Sequence, residues 1–354
     1  FRSPVGVFDE KLKQNIKVNK DAIIEYLNRK ERKKIQSSED QKYKPFPLTD
    51  IQTAYLLGRN QGYLYGGIGC KVYAEFLTEF TDEIIFRDAV KKLIERHEML
   101  RVQFSKEGEQ RFLPYIFNAP VQIYDIRGWE KEKIKHKILA KREEMQFKQY
   151  DPEKDILFDL CLFIHDNASI LCLSLDMLIG DFVSIDLIIS DLEKLYNNQK
   201  MEKLTLNFRD YIIYNQNQKE DINFLIKYYE DEKYWLNKVD VFPGKPELYT
   251  REEPEIIRKG TFICKEYTVD PKKWQYLVSK CEKLNFTPTA LLLYLYCATL
   301  NNWSRNSQFT VNITTLQRPS IHEDIQRIVG DFTTTSLFEF DGTFEGKVNA
   351  QVEK

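Results

Sequence analysis

Apolar residues recur along this chain at two spacings, and the spacings alternate. Around residues 82–100 the apolar positions Ile85, Ala89, Val90, Leu93 and Ile94, with His97, fall on one face at a helical period, which predicts a long helix there. The same period predicts helices over 131–149, 185–196, 219–239, 271–284 and 289–303. A shorter one carries Ile51, Ala54, Tyr55 and Leu57, capped by Thr49 or Asp50 and ended by Gly58. Strand-like runs lie between them, at 71–76, 102–104, 110–114, 121–124, 260–269, 309–315 and 336–340. Two further runs, 157–164 and 169–175, flank His165, Asp166 and Asn167 and predict a hairpin. Helices and strands mixed throughout give an α/β or α+β architecture in two lobes.

The first 42 residues differ in texture: Lys, Asn, Glu and Gln dominate, with one amphipathic stretch at Ala22, Ile23, Tyr26 and Leu27. We read 1–42 as a short helix and linker, 43–215 as a first lobe, 216–255 as a helix and Pro/Gly-bearing connector, and 256–354 as a second, partial lobe. The 354-residue length suits about two domains. With 42% hydrophobic and 13% aromatic residues the chain can bury substantial cores.

Charge narrows the function classes. Fifty-two Lys and Arg against 54 Asp and Glu leave a net charge of -2, so no bulk basic footprint points to nucleic acid or an anionic membrane. The longest uncharged apolar stretch, 290–300, is far below the roughly 20 residues of a bilayer span. The start has no hydrophobic signal core, and the expected setting is the cytoplasm. Six cysteines without a C-x-x-C pattern read as reduced, buried thiols. No two of His97, His136, His165 and His322 have the i, i+4 spacing that aims a pair at one metal, so no metal site is expected. There is no G-x-S-x-G elbow, GGIG lacks the third glycine of a dinucleotide turn, and GTFEGK at 342–347 is a residue short of a phosphate loop.

The most informative segment is 170–185, where a buried-looking strand runs into Asp176, Asp181 and Ser184 and then into a helix. A strand end followed by a helix start aims groups from rigid elements. Capping preference alone gives a plainer reading, in which Asp181 or Ser184 is the N-cap and Asp176 a loop residue.

Seven collinear motifs add to this. FPLTDIQTAYLLGR (46–59), RHEMLR (96–101) with Gly108 and Gln110, and DMLIGDFVS (176–184) come first. Phe208, Arg209, Asp210 and Tyr211 with Tyr234 and Trp235 follow, then PGKPEL (243–248), the stretch from Thr287 to Ser304, and VGDFT (329–333). In this order they resemble the heterocyclization domains of nonribosomal peptide synthetases, a branch of the condensation-domain family. Asp176, Asp181 and Ser184 fall on that branch's DxxxxDxxS signature. Ordinary condensation domains carry HHxxxDG there; this chain has Asp176 at the first His, Met177 at the second and Phe182 at the Gly. A thioether cannot relay a proton at neutral pH.

The resemblance implies two chloramphenicol-acetyltransferase-like lobes in a V, with a tunnel receiving phosphopantetheine arms from upstream and downstream peptidyl or aryl carrier domains. An adenylation domain of the same synthetase is a further implied partner, and no cofactor is bound directly. The implied reaction joins a carrier-bound acyl or aminoacyl thioester to carrier-bound Cys, Ser or Thr and cyclodehydrates the product to a thiazoline or oxazoline. Asp176 is implied as a tunnel-facing catalytic carboxylate. Asp181 is implied as a second catalytic carboxylate or as the buried ion-pair partner that holds the loop. Ser184 reads as a hydrogen-bonding group lining the tunnel, and Asp331 and Thr333 as second-lobe residues on the opposite wall. The family's closing motifs lack counterparts here, and TLQRP (315–319) places Gln317 where the family often has Asn. A non-catalytic, carrier-docking module is the alternative, and a stand-alone acyltransferase of the same fold is disfavoured by Met177.

Overall fold

The computed structural model describes residues 18–20, 35, 37–60, 62, 66–166, 168–249 and 265–343. Its residues cluster into two compact units that are not contiguous in sequence. One comprises Phe1–Thr53, Cys70–Gln218 and Gln317–Phe332; the other comprises Ala54–Gly69, Lys219–Leu316 and Thr333–Lys354.

The first unit is built on a four-stranded sheet of β2 (Lys71–Thr78), β5 (Val121–Asp125), β6 (Phe158–Ile164) and β7 (Ser169–Asp176). Its spatial order is β2-β7-β6-β5. Strands β6 and β7 form the antiparallel hairpin predicted from the turn at residues 165–167, and β2 pairs antiparallel with β7 in register Lys71 to Asp176. Strands β5 and β6 are parallel, so a crossover is required, and helix α3 (Lys131–Phe147) supplies it. A three-stranded sheet of β1 (Phe46–Pro47), β4 (Glu109–Phe112) and β3 (Val102–Phe104) flanks the sequence between α2 (Glu83–Arg96) and β5.

Side chains alternate along β7, so Leu171, Leu173 and Leu175 lie on one face and Cys172, Ser174 and Asp176 on the other. The second face is covered by α3: Met145 packs with Ile126, Cys161, Phe163 and Cys172, joined by the half-buried Tyr73, Ile134 and Ile138. Helices α2 and α4 (Phe182–Tyr196) pack on each other. Their buried stripes, Phe86, Val90, Leu93 and Ile94 against Ile185, Ile188 and Leu192, follow the helical period.

The predicted helix over 82–100 is shorter than expected. Asp82 caps α2 by accepting from Ile84 and Ile85 N–H, and the helix ends at Arg96 because His97 adopts an extended backbone. The buried imidazole Nε2 of His97 lies 3.0 Å from Asp191 Oδ2, which draws the chain out of the helix before a 3-10 turn at Glu98–Arg101.

In the second unit, α6 (Ile222–Lys238) follows α5 (Phe208–Gln218) of the first, so the long helix expected from 219 starts a little later. Helices α7 (Pro271–Lys283) and α8 (Pro288–Trp303) carry caps readable in the sequence: Asp270 accepts from Lys272 and Lys273 N–H, and Thr287 from Ala290 N–H. Strands β8 (Gln308–Leu316) and β9 (Thr333–Asp341) form an antiparallel pair. Cys297, Phe309 and Phe340 are its buried centre. Residues 265–269, expected in a strand, are not in one, and 260–264 lie outside the described residues, as do Ala22, Ile23, Tyr26 and Leu27. No helix among the described residues is long and apolar enough to cross a membrane.

Candidate active site

Strand β7 ends at Asp176 and α4 begins at Phe182, so the signature residues occupy a five-residue loop and its two shoulders. Asp176 is 1% exposed. Its Oδ1 accepts the Leu178 N–H at 3.0 Å, and its backbone carbonyl accepts from Ile179 N–H, which folds the loop back on the strand end. Met177 is buried, and its N–H donates to the Cys70 carbonyl at 2.9 Å.

Asp181 is the N-cap of α4 and is fully buried. Its Oδ1 accepts from Ser184 N–H at 2.7 Å and from Ser184 Oγ at 2.8 Å. Arg318 closes the other side: its Nη2 reaches Oδ1 at 2.8 Å and Oδ2 at 3.0 Å, and its Nε reaches Oδ2 at 3.2 Å. Phe332 N–H adds a long contact to Oδ2 at 3.4 Å. Every direction from which this carboxylate could take a proton is already filled by a donor.

The guanidinium is itself spoken for. Arg318 Nη1 donates to the carbonyls of Ile325 and Ile328, both at 2.8 Å, and its plane lies 4.3 Å from the centroid of the Phe332 ring. Ser184 Oγ lies 3.0 Å from the Gly330 carbonyl and 3.1 Å from Gly330 N–H. The segment Gln317–Phe332 is thus stitched to the start of α4. Gly330 permits the approach: a Cβ there would sit 2.2 Å from Cδ2 of Phe208.

A second set of contacts holds the loop from the opposite shoulder. Gln52, at 0% exposure, donates its amide to the Leu178 carbonyl at 2.7 Å. It exchanges hydrogen bonds with Gln110 at 2.8 and 3.1 Å, and Gln110 in turn donates to the Pro47 carbonyl. One glutamine therefore holds a carbonyl of the signature loop, and a second, from a separate motif, holds that glutamine.

The sequence-predicted residues are not one cluster. Asp181, Ser184 and the Gly330–Phe332 backbone come together, and Asp176 stands at the loop's other end. Asp331, read from the sequence as a second-lobe residue, lies in the first unit and is 1% exposed. Thr333 opens β9 in the second unit, in register with Leu316. Sequence reading did not single out Arg318, although Asp181 was implied as a partner in a buried ion pair and an Arg in the TLQRP stretch was visible. Nothing in local spacing connects residues 137 positions apart.

The chain has known relatives. Residues 26–341 match the condensation-domain family. The chain belongs to the condensation-domain family. It is 34% identical over 297 residues to bacitracin synthase 1 of Bacillus licheniformis, covering 83% of this chain and 6% of that protein. Pyochelin synthetase PchF of Pseudomonas aeruginosa matches at 27% over 344 residues, 96% of this chain and 19% of the relative. Phenyloxazoline synthase MbtB of Mycobacterium tuberculosis matches at 28% over 309 residues, 86% of this chain and 21% of the relative. This condensation domain therefore spans about a quarter or less of the curated relatives it matches. Among solved structures, the EpoB cyclization-docking bidomain of Sorangium cellulosum superposes with a TM-score of 0.85 at 26% identity, over 99% of this chain and 70% of that one.

Proposed function

We propose that this condensation domain is the heterocyclization region of a nonribosomal peptide synthetase. It joins a carrier-bound acyl or aminoacyl thioester to the amine of carrier-bound Cys, Ser or Thr. The new C–N bond displaces the donor's thiolate. The side-chain thiol or hydroxyl then adds to the amide carbonyl, and the former carbonyl oxygen leaves as water, giving a thiazoline or oxazoline. Carrier domains supply the phosphopantetheine arms.

The observation that carries this reading is the signature loop: Asp176 and Met177 stand where the bond-forming branch has its two histidines, Met177 is buried, and Asp181 and Ser184 complete the DxxxxDxxS pattern. The likeness to the EpoB cyclization bidomain and to a phenyloxazoline synthase supports it. Amide formation on an activated thioester is chiefly a matter of positioning, whereas loss of water needs one proton removed and another delivered. A carboxylate suits that work. We assign it to Asp176, because Asp181 is saturated by Arg318 and Ser184 and is the residue that keeps the loop in place. We give Ser184 a bridging role and not that of a nucleophile: its hydroxyl is held between Asp181 and Gly330, and the carboxylate beside it is ion-paired with Arg318.

The test is product mass. Within its synthetase, and supplied with a loaded donor carrier and a cysteinyl acceptor carrier, the domain yields a thioester one water lighter than the linear amide. A linear amide as the sole product would make it an ordinary condensation domain, and carrier binding without any product would make it a docking module.

A further inference from the structure

Cys161 on β6 and Cys172 on β7 are register partners across the antiparallel hairpin. The Asp176 N–H donates to the Leu157 carbonyl at 2.9 Å, which makes that pair a hydrogen-bonded rung. Rungs of this kind recur at every second pair, so Asp159 with Ser174 and Cys161 with Cys172 are the next two. Cα atoms on such a rung stand about 5.5 Å apart, inside the span of a disulfide. The two side chains leave the sheet on one face, and both thiols belong to the cluster beneath α3, with Ile126, Met145 and Phe163.

A single cysteine in such a place packs as a small apolar residue, but two on one rung can be joined. Both are 0% exposed and both are free thiols. Burial pushes the Cys161 thiol up to about 12 and raises that of Cys172 as well, where the Tyr73 hydroxyl and the buried Lys141 ammonium oppose the rise. Neither sulfur is therefore a thiolate while α3 lies over the sheet, and exchange with a solute waits on α3 lifting away. The geometry also sets how durable a bond between them is. Cβ atoms on a hydrogen-bonded rung lie toward the wide end of about 4.5–5.5 Å, whereas a relaxed disulfide holds them at about 3.5–4.5 Å. Closing the bond pulls the strands together, and a strained disulfide is readily reduced.

We propose that Cys161 and Cys172 are a reversible redox couple: a cross-strand dithiol that closes to a disulfide by exchange with a low-molecular-weight disulfide and reopens with excess thiol. With oxidised glutathione as the oxidant, the thiolate of Cys172 attacks one of its sulfurs and one glutathione thiolate leaves. Cys161 then attacks the Cys172 sulfur of the mixed disulfide and releases the second glutathione. Two cysteine thiols are oxidised, one glutathione disulfide is reduced to two thiols, and the protons the cysteines give up end on those thiols. The bond ties β6 to β7 just ahead of Asp176, where the signature loop begins. The couple belongs to the hairpin and is independent of the heterocyclization reading above.

The test equilibrates the folded chain in glutathione buffers that run from fully reduced to fully oxidised. It is done on the unsubstituted chain and on Cys70→Ser, which removes the exposed thiol. Remaining thiols are alkylated in denaturant, and disulfides are located by peptide mass. The expected product is a peptide pair linked through Cys161 and Cys172, two hydrogens lighter than the dithiol, that accumulates as the buffer becomes oxidising and is lost under excess thiol. Urea at concentrations below the unfolding transition speeds its formation, because α3 must lift first. Recovery of both cysteines in alkylated form at the most oxidising ratio, or only as mixed disulfides with glutathione, overturns the couple. A linkage that persists under excess thiol overturns its reversibility, and a rate unmoved by urea overturns the gating by α3. The first of these outcomes is read on the unsubstituted chain and needs no variant to fold.

Discussion

Gln52 donates its side-chain amide to the backbone carbonyl of Leu178, 126 residues away, in a setting with no solvent access to Gln52. The contact joins the opening FPLTDIQ stretch to the middle of the signature loop. Removing it leaves a buried carbonyl and the amide of Gln110 short of partners. Gln52→Ala lowers stability by about 1–3 kcal/mol, the ordinary cost of orphaned buried polar groups. Urea denaturation of Gln52→Ala, Gln110→Ala and the double variant measures it. Because the two amides bond each other, the double variant loses less than the sum of the singles.

Arg318 and Asp181 form a pair in which each is the other's main counter-charge, with side chains 4% and 0% exposed. Arg318→Met strands a buried carboxylate, and the expected loss is about 3–5 kcal/mol. Asp181→Asn with Arg318→Met together recovers part of that loss. A single Arg318→Met within about 1 kcal/mol of the unsubstituted chain in a denaturation midpoint contradicts the latch.

Gly330 tests the geometry of the same latch from the backbone side. Gly330→Ala drives a methyl into the Phe208 ring and displaces the segment that Ser184 holds. An overpacking cost of about 1–3 kcal/mol follows. Trimming the obstacle with Phe208→Leu in the Gly330→Ala background restores part of the midpoint, although Phe208→Leu alone is destabilising. Two losses that simply add show that the ring is not what excludes a side chain at 330.

Asp191 predicts an acid limb of stability. Burial alone would raise its pKa, but hydrogen bonds and charge from His97 and Arg96 outweigh it and hold the carboxyl down at about 2. A pKa depressed in the folded state stabilises above the unfolded value, and that stabilisation is lost as pH falls through the folded one. The gap between the unsubstituted chain and Asp191→Asn is on the order of 2 kcal/mol near neutrality. It closes between about pH 4 and pH 2, the window set by the ordinary and the lowered value. Denaturant midpoints across that range read it directly, and a gap independent of pH contradicts the pairing.

The periodic elements were legible because each obeys one local rule. The helices after Asp270 and Thr287 start at their caps, and the 169–176 strand alternates between the Leu171–Leu173–Leu175 face and the face beneath α3. His97 shows the limit: its place on the apolar stripe extends the predicted helix, yet its bond to Asp191 ends it. The signature was legible as a motif, and Asp181 as a cap. Its partner was not, since an Arg318 to Asp181 bond depends on how a distant segment returns to the first unit.

The most direct measurement is the mass of the thioester product formed by Asp176→Asn beside the unsubstituted domain, in the complete synthetase with a cysteinyl acceptor carrier. The account predicts that Asp176→Asn still forms the linear amide while the dehydrated ring falls by about 100-fold or more, as loss of a general acid or base requires. Ring formation at the unsubstituted rate would contradict the assignment of Asp176 as the carboxylate that serves the loss of water.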